Sequence, residues 1–211
     1  TPIGGRKTMA NAVYDQLRAA LMEGSFDPGS NLAIQEIAER FGTSNTPVRE
    51  ALRRLTAEGA LVEGKWNSAT IPALGLADYT ELCTARMVIE GGTAALAATQ
   101  ITAAECADLH AISLRHQTAL TEGRIADMLI GNKAFHFTLY RAAHNPMLVR
   151  QIETLWLRSG PYTRFLAEKM QDALQSPDGL SYARHHDDLL AALGHRDPDA
   201  ARAAIAADIM A

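Results

Sequence analysis

Residues 32–66 read LAIQEIAERFGTSNTPVREALRRLTAEGALVEGKW, two short helices joined by a tight turn. Ile34, Ile37, Ala38 and Phe41 recur at i, i+3, i+4 and i+7, one apolar stripe of a helix. Gly42 follows at once, where a chain leaving a helix can take positive φ without a Cβ penalty. Thr43, Ser44 and Thr46 are candidate caps for the next helix, and Pro47 fits only in its first turn. Val48, Ala51, Leu52 and Leu55 make the second stripe, closed by Gly59. Left facing outward are Asn45, Thr46, Arg49 and Arg53, with Gln35 on the first helix and Ser44 at the turn. A major-groove reader needs this arrangement of short polar groups and arginines on the first turns of one helix. A helix hairpin with a merely solvated basic face would show the same periodicity.

The detail separates the two readings. TPVREALRRLTAEGALVE, preceded by PGSNLAIQEIAERFGTS, resembles the signature of the GntR family of bacterial transcription regulators over residues 14–71. The resemblance implies a winged helix-turn-helix. Two positions depart from the family pattern: Asn45 stands where many relatives have arginine, and Ser68 where the wing usually has glycine. Asparagine can make a bidentate contact to adenine, so a different operator preference is expected.

Upstream, residues 1–8 read as a flexible terminus and 9–22 as a helix with Val13, Leu17 and Leu21 on one stripe, ended by Gly24 and Asp27-Pro28-Gly29. Downstream, Leu61-Val62 and Ala69-Thr70-Ile71 pair as two short strands, with Lys65 at the tip of the wing as a phosphate contact and Trp66 as a packing residue. Residues 9–72 are therefore the expected DNA-binding domain and 73–76 a linker.

Residues 1–70 carry 8 Lys/Arg and 8 Asp/Glu, net 0, against 12 and 16, net −4, for residues 71–211. Nucleic-acid contact is thus expected only from the first part, where Arg6, Lys7, Arg49, Arg53, Arg54 and Lys65 could share one face, with strong salt dependence. No apolar run is long enough to span a membrane and no signal peptide is visible, so a cytoplasmic protein is expected. Cys83 and Cys106 have no CxxC spacing and read as free core thiols.

From residue 77 to 211 the pattern is helical throughout, with helices over 77–99, 103–121, 124–143, 146–170, 178–193 and 197–210, the fourth kinked or broken at Gly160-Pro161. The expected fold class is mainly α, a winged helix-turn-helix followed by an all-helical bundle able to hold a ligand. Within that bundle several polar side chains fall on apolar stripes, where burial without partners is costly. Asn132 and His136 share a stripe with Met128, Phe135 and Leu139; His186 lies with Leu189 and Leu193; Asp208 with Ala201 and Ile205; Arg86 with Leu82 and Ile89. Two imidazoles, an amide and a carboxylate fit a divalent ion, but a metal-free polar pocket fits the same pattern. Arg86 reads either as a clamp for a carboxylate ligand or as half of a buried salt bridge, with Glu90 one turn away.

NKAFHFTLYRAAHNPML, HHDDLLAALGHRDPDAARAA and RMVIE resemble the FCD effector domain of FadR-type GntR regulators. The resemblance implies metal ligation by Asn132, His136, His186 and Asp208, the last standing where the family usually has histidine. A carboxylate in that place makes the set harder, tolerant of Zn, Ni or Mn. His110, His116, His144 and His195 match no ligand position and read as surface or locally hydrogen-bonded residues. Together these features point to a ligand-responsive regulator, a homodimer on a near-palindromic operator, sensing a small carboxylate or sugar acid beside the ion. The alternative is a metal-dependent enzyme with a DNA-binding appendage, although HExxH, Ser/His/Asp and Gly-rich phosphate motifs are all absent.

Overall fold

The computed structural model describes residues 9–65, 68–169 and 181–210. The Arg6–Lys7 pair and Trp66 lie outside the described residues. Two compact units form, one of residues 1–74 with 156–163, the other of residues 75–155 with 164–211.

The first unit begins with α1 (Met9–Met22), whose Val13, Leu17 and Leu21 are buried. Then come β1 (Asn31–Ala33), α2 (Ile34–Arg40), α3 (Asn45–Ala57), β2 (Val62–Glu63) and β3 (Ser68–Thr70). Gly42 takes φ +58 between α2 and α3, the left-handed turn that sends the second helix across the first. Val48, Ala51, Leu52 and Leu55 close the core beneath α3. The sheet order is β1-β3-β2, antiparallel throughout. Strand β1 has no counterpart in the sequence reading, because three residues running directly into a helix carry no alternation of their own. It exists by pairing with β3, Leu32 opposite Ala69, both buried.

Tyr14 ties α1 to the end of α3: its hydroxyl donates to both carboxylate oxygens of Glu58 (2.7 and 2.9 Å) while Arg54 lies 3.7 Å over its ring. Arg54 also donates to Asn11 (2.8 Å), so this arginine is turned to the helix packing rather than to the basic outer face. Burial and then Glu58 push the Tyr14 hydroxyl up to about 12.

The second unit consists of α4 (Leu76–Gln100), α5 (Ala103–Thr121), α6 (Ile125–Arg141), α7 (Pro146–Lys169), α8 (Ser181–His195) and α9 (Pro198–Met210). The Asx-Pro pairs that punctuate the sequence serve as helix starts. Asn145 accepts from the Met147 and Leu148 N–H groups, and Asp197 from those of Asp199 and Ala200, with the proline in the first turn each time. Thr102 and Glu105 cap α5 reciprocally.

Helix α7 carries Pro161 inside it, so of the kink or break expected at Gly160-Pro161 the break does not occur. Within a helix proline lacks the N–H for an i→i−4 bond and its ring crowds the carbonyl four residues back; Gly160, without a Cβ, spares only the further clash with the residue before it. Residues 156–163 of this helix belong to the first unit. There Gly160 abuts the Leu21 and Met22 backbone, and the Tyr162 hydroxyl donates to the Pro72 carbonyl (2.7 Å) while accepting from the Leu74 N–H.

Candidate DNA-reading surface and metal centre

On the first unit, Ser44, Asn45, Thr46, Arg49 and Arg53 are exposed, as are Gln35 and Lys65. Ser44 occupies the N-cap of α3 in extended conformation without making a side-chain capping bond. The amide of Gln35 donates to Glu39 (3.1 Å). A groove of about 500 Å³ between α3 and the hairpin is lined by Arg49, Arg53, Gly64 and Ser68 among others. Ser68 is accommodated because Gly64 opposite has no side chain: a Cβ there would collide with the serine hydroxyl, which instead donates to the Lys65 carbonyl (2.6 Å).

In the second unit, His136, His186 and Asp208 arrive from α6, α8 and α9 with one potential ligand atom each, all within 4.8 Å of one another. His136 and His186 are each 1% exposed and the Asp208 side chain 18%. His136 Nε2 lies 3.1 Å from Asp208 Oδ2, and His186 Nε2 lies 3.8 Å from Oδ1. Asn132 is half-buried one turn before His136 on α6. Neighbouring His185 is only half-buried, as helix geometry demands when His186 faces inward.

Behind these three side chains runs a buried polar chain that the sequence shows only in part. Arg86 donates to both oxygens of Glu90 (2.7 and 3.3 Å), which is the salt-bridge arrangement its spacing allowed. The Tyr140 hydroxyl donates to Glu90 Oε2 (2.5 Å) and lies 3.1 Å from His136 Nδ1. A hydroxyl has one hydrogen, and Glu90 takes it, so His136 Nδ1 must carry the proton of that contact. Nε2 then turns its lone pair toward the Asp208 carboxylate, two acceptors that need a cation between them, a proton or a metal ion. Tyr140 was not singled out beforehand, although its position four residues after His136 marks the same face of α6.

His116 is the second correction. Instead of lying at the surface it is 4% exposed, its ring centroid 4.6 Å from that of His186, and its Nδ1 has no hydrogen-bond partner among the described residues. The close approach of α5 and α6 puts it there: a Cβ on Gly131 would stand 3.3 Å from His116 Cα and Cβ, so a larger residue would push the helices apart. Phe135 stacks on His186 with centroids 3.9 Å apart.

The electrostatics follow from this enclosure. Burial, then repulsion by His136, depresses His116 to about 4 and holds His186 well below the usual imidazole range. Burial alone would raise Asp208, but His136, then His186 and Arg86, outweigh it and keep the carboxyl well below its ordinary range. Tyr140 is pushed well above the usual phenol value by burial and by Glu90. For Arg86 the charge of Glu90 outweighs the cost of burial and keeps the guanidinium firmly charged.

Comparison with known proteins agrees with both halves. Residues 9–69 match the model of bacterial regulatory proteins of the gntR family, and residues 81–210 match the FCD domain. The chain belongs to the GntR family and carries an FCD domain. The HTH-type transcriptional regulator McbR of Escherichia coli is 31% identical over 194 residues, covering 92% of this chain and 86% of that protein. The Uxu operon regulator of Haemophilus influenzae is 29% identical over 223 residues, covering 95% and 81%. The structure of E. coli McbR/YncC superposes with a TM-score of 0.88 at 29% identity, over 96% of this chain and 94% of that one. A putative GntR regulator from Rhodococcus shares the fold, with a TM-score of 0.73 at 18% identity over 95% and 93%. The protein is thus a DNA-binding transcriptional regulator. Both matched domains are regulatory and the relatives are named regulators, so the enzyme alternative falls. No helix among the described residues is long and apolar enough to cross a membrane.

Proposed function

We propose that this GntR regulator is of the FadR type and senses a small carboxylate or sugar acid at a divalent ion held by Asn132, His136, His186 and Asp208. The observation that carries the reading is the convergence of His136, His186 and Asp208 from three helices within 4.8 Å. Two imidazoles with one carboxylate suit Zn, Ni or Mn, and the amide oxygen of Asn132 is a fourth donor one turn away. The ion supplies a positive centre with open positions for a carboxylate; no group beside it is placed to act as a general base. Arg86, whose charge reaches Asp208 while it stays paired with Glu90, offsets further negative charge of the effector. Tyr140 fixes the His136 tautomer so that Nε2 faces the ion.

In the same proposal residues 9–72 read the operator. Asn45 and Thr46 meet base edges, Arg49 and Arg53 take bases and phosphates, and Gln35, Ser44 and Lys65 hold the backbone. One reading head makes few contacts, so the working form is a homodimer on a near-palindromic site. Exposed Val88, Leu114 and Ile130 on the bundle offer apolar surface that a second copy can cover. Repression is the proposed direction, in line with the HTH-type transcriptional repressor RspR of E. coli, 25% identical over 97% of this chain.

Elemental analysis of protein purified without chelator, followed by DNA binding with and without metal and candidate acids, tests the reading. About one divalent ion per chain and acid-dependent release from DNA are expected. A protein that takes up no divalent ion at saturation overturns the metal reading.

A further inference from the structure

Among the described residues, His136, His186 and Asp208 form the group of histidine and acidic side chains whose ligand atoms lie within 4.8 Å of one another, and His116 is not part of it. Yet its ring centroid is 4.6 Å from that of His186, a metal-ligand candidate. His116 Nδ1 is buried without a partner, and so is the hydroxyl oxygen of Ser113, one turn earlier on α5. Both residues are almost fully buried, at 4% and 3% exposure. Buried polar groups left unsatisfied in a protein that binds a small molecule await either water or that molecule.

We propose that His116 is the specificity residue of the pocket, hydrogen-bonding from α5 to the hydroxyl of a hydroxycarboxylate whose carboxylate sits on the ion. Phe135 stacks on the His186 imidazole with a purely apolar ring, whereas His116 brings a ring nitrogen beside it. An alkyl carboxylate would satisfy the ion and leave His116 unpaired, so the site discriminates by the cost of an unmet hydrogen bond. This inference rests on the metal reading above, and it assigns a role to a residue outside the four ligands.

The full-length protein is stripped, loaded with Co(II), and titrated with glycolate and with propionate, which differ by a hydroxyl in place of a methyl. The Co(II) visible spectrum reports both metal uptake and anion binding. Wild type is expected to favour glycolate about tenfold. His116→Phe is expected to keep Co(II) affinity within about twofold and to bring that ratio close to one, while His116→Gln, which retains a donor and an acceptor, restores part of it. An unchanged ratio in His116→Phe overturns the inference, as does absence of any preference in wild type. Loss of Co(II) affinity in both variants also overturns it, since His116 would then be a ligand or a packing residue. Failure of wild type to bind Co(II) at all is a different result and removes the metal reading itself.

Discussion

The two units put their working groups in opposite environments. On α3 the residues proposed to meet DNA are exposed, and their spacing along one short helix is enough to bring them together. In the bundle the candidate groups are buried or nearly so, come from four helices, and are chained through Arg86, Glu90, Tyr140 and His136 to Asp208. A surface reader can change one side chain without disturbing its neighbours, whereas each member of a buried chain sets the state of the next. That difference predicts how substitutions behave.

The largest effect is expected at His136. His136→Ala should lower divalent-metal affinity by well over 100-fold, more than the 10–100-fold typical of losing an outer partner, while leaving metal-free DNA binding within about twofold. Isothermal titration with Zn and a fluorescence-anisotropy assay on operator DNA check the two halves. A parallel collapse of DNA binding would erase the contrast between the units.

Arg49→Ala comes next, costing about 1–3 kcal/mol of specific operator binding. Its metal affinity should match wild type, and Asn45→Arg should redirect site preference rather than weaken binding. Selection from a random DNA library, read alongside metal titration, separates these outcomes; equal operator binding across salt concentrations would remove α3 as the reading helix.

Tyr140→Phe tests whether the buried chain acts as one. Loss of the hydroxyl frees the His136 tautomer and leaves Glu90 with one partner fewer, so metal affinity should fall about 10–100-fold without loss of the fold. A Tyr140→Phe protein with wild-type metal affinity would mean that the chain merely fills space.

The smallest effects concern pH, and the units should respond in opposite directions. In metal-free protein, His116 is depressed to about 4 from an ordinary value near 6.5, so the unfolded chain binds the proton more readily. Stability of the bundle should therefore be full above about pH 6.5 and fall by about 1–2 kcal/mol between pH 7 and 5 from this residue, a loss that His116→Phe removes. Tyr14 is raised to about 12 from 10, so its contribution is present below pH 10 and disappears as pH rises toward 12, with Tyr14→Phe flattening that limb. Urea midpoints followed across pH measure both.

Much of this was legible in the amino-acid order. The helix-turn-helix showed because its two stripes, its left-handed glycine and its outward polar row are all local, within the reach of a 3.6-residue repeat. The six bundle helices showed for the same reason, punctuated by Thr102, Asn145-Pro146 and Asp197-Pro198, which serve as caps. His136, His186 and Asp208 were visible as polar residues on apolar stripes, and the family resemblance named them as a set. Strand β1 was not visible, since three residues become a strand only when β3 pairs with them. That helix α7 is not broken at Pro161 was not visible either, because the local rule for proline predicts a kink or a break without weighing the packing around it. His116 was misplaced because a mixed stripe on α5 does not say which face meets α6; the close approach at Gly131 decided that. The amino-acid order determined which residues share a face of each helix. Which faces meet, and hence that His116 stands beside His186 and Tyr140 bridges Glu90 to His136, was decided by the packing of helices far apart in sequence, where helical periodicity carries no information.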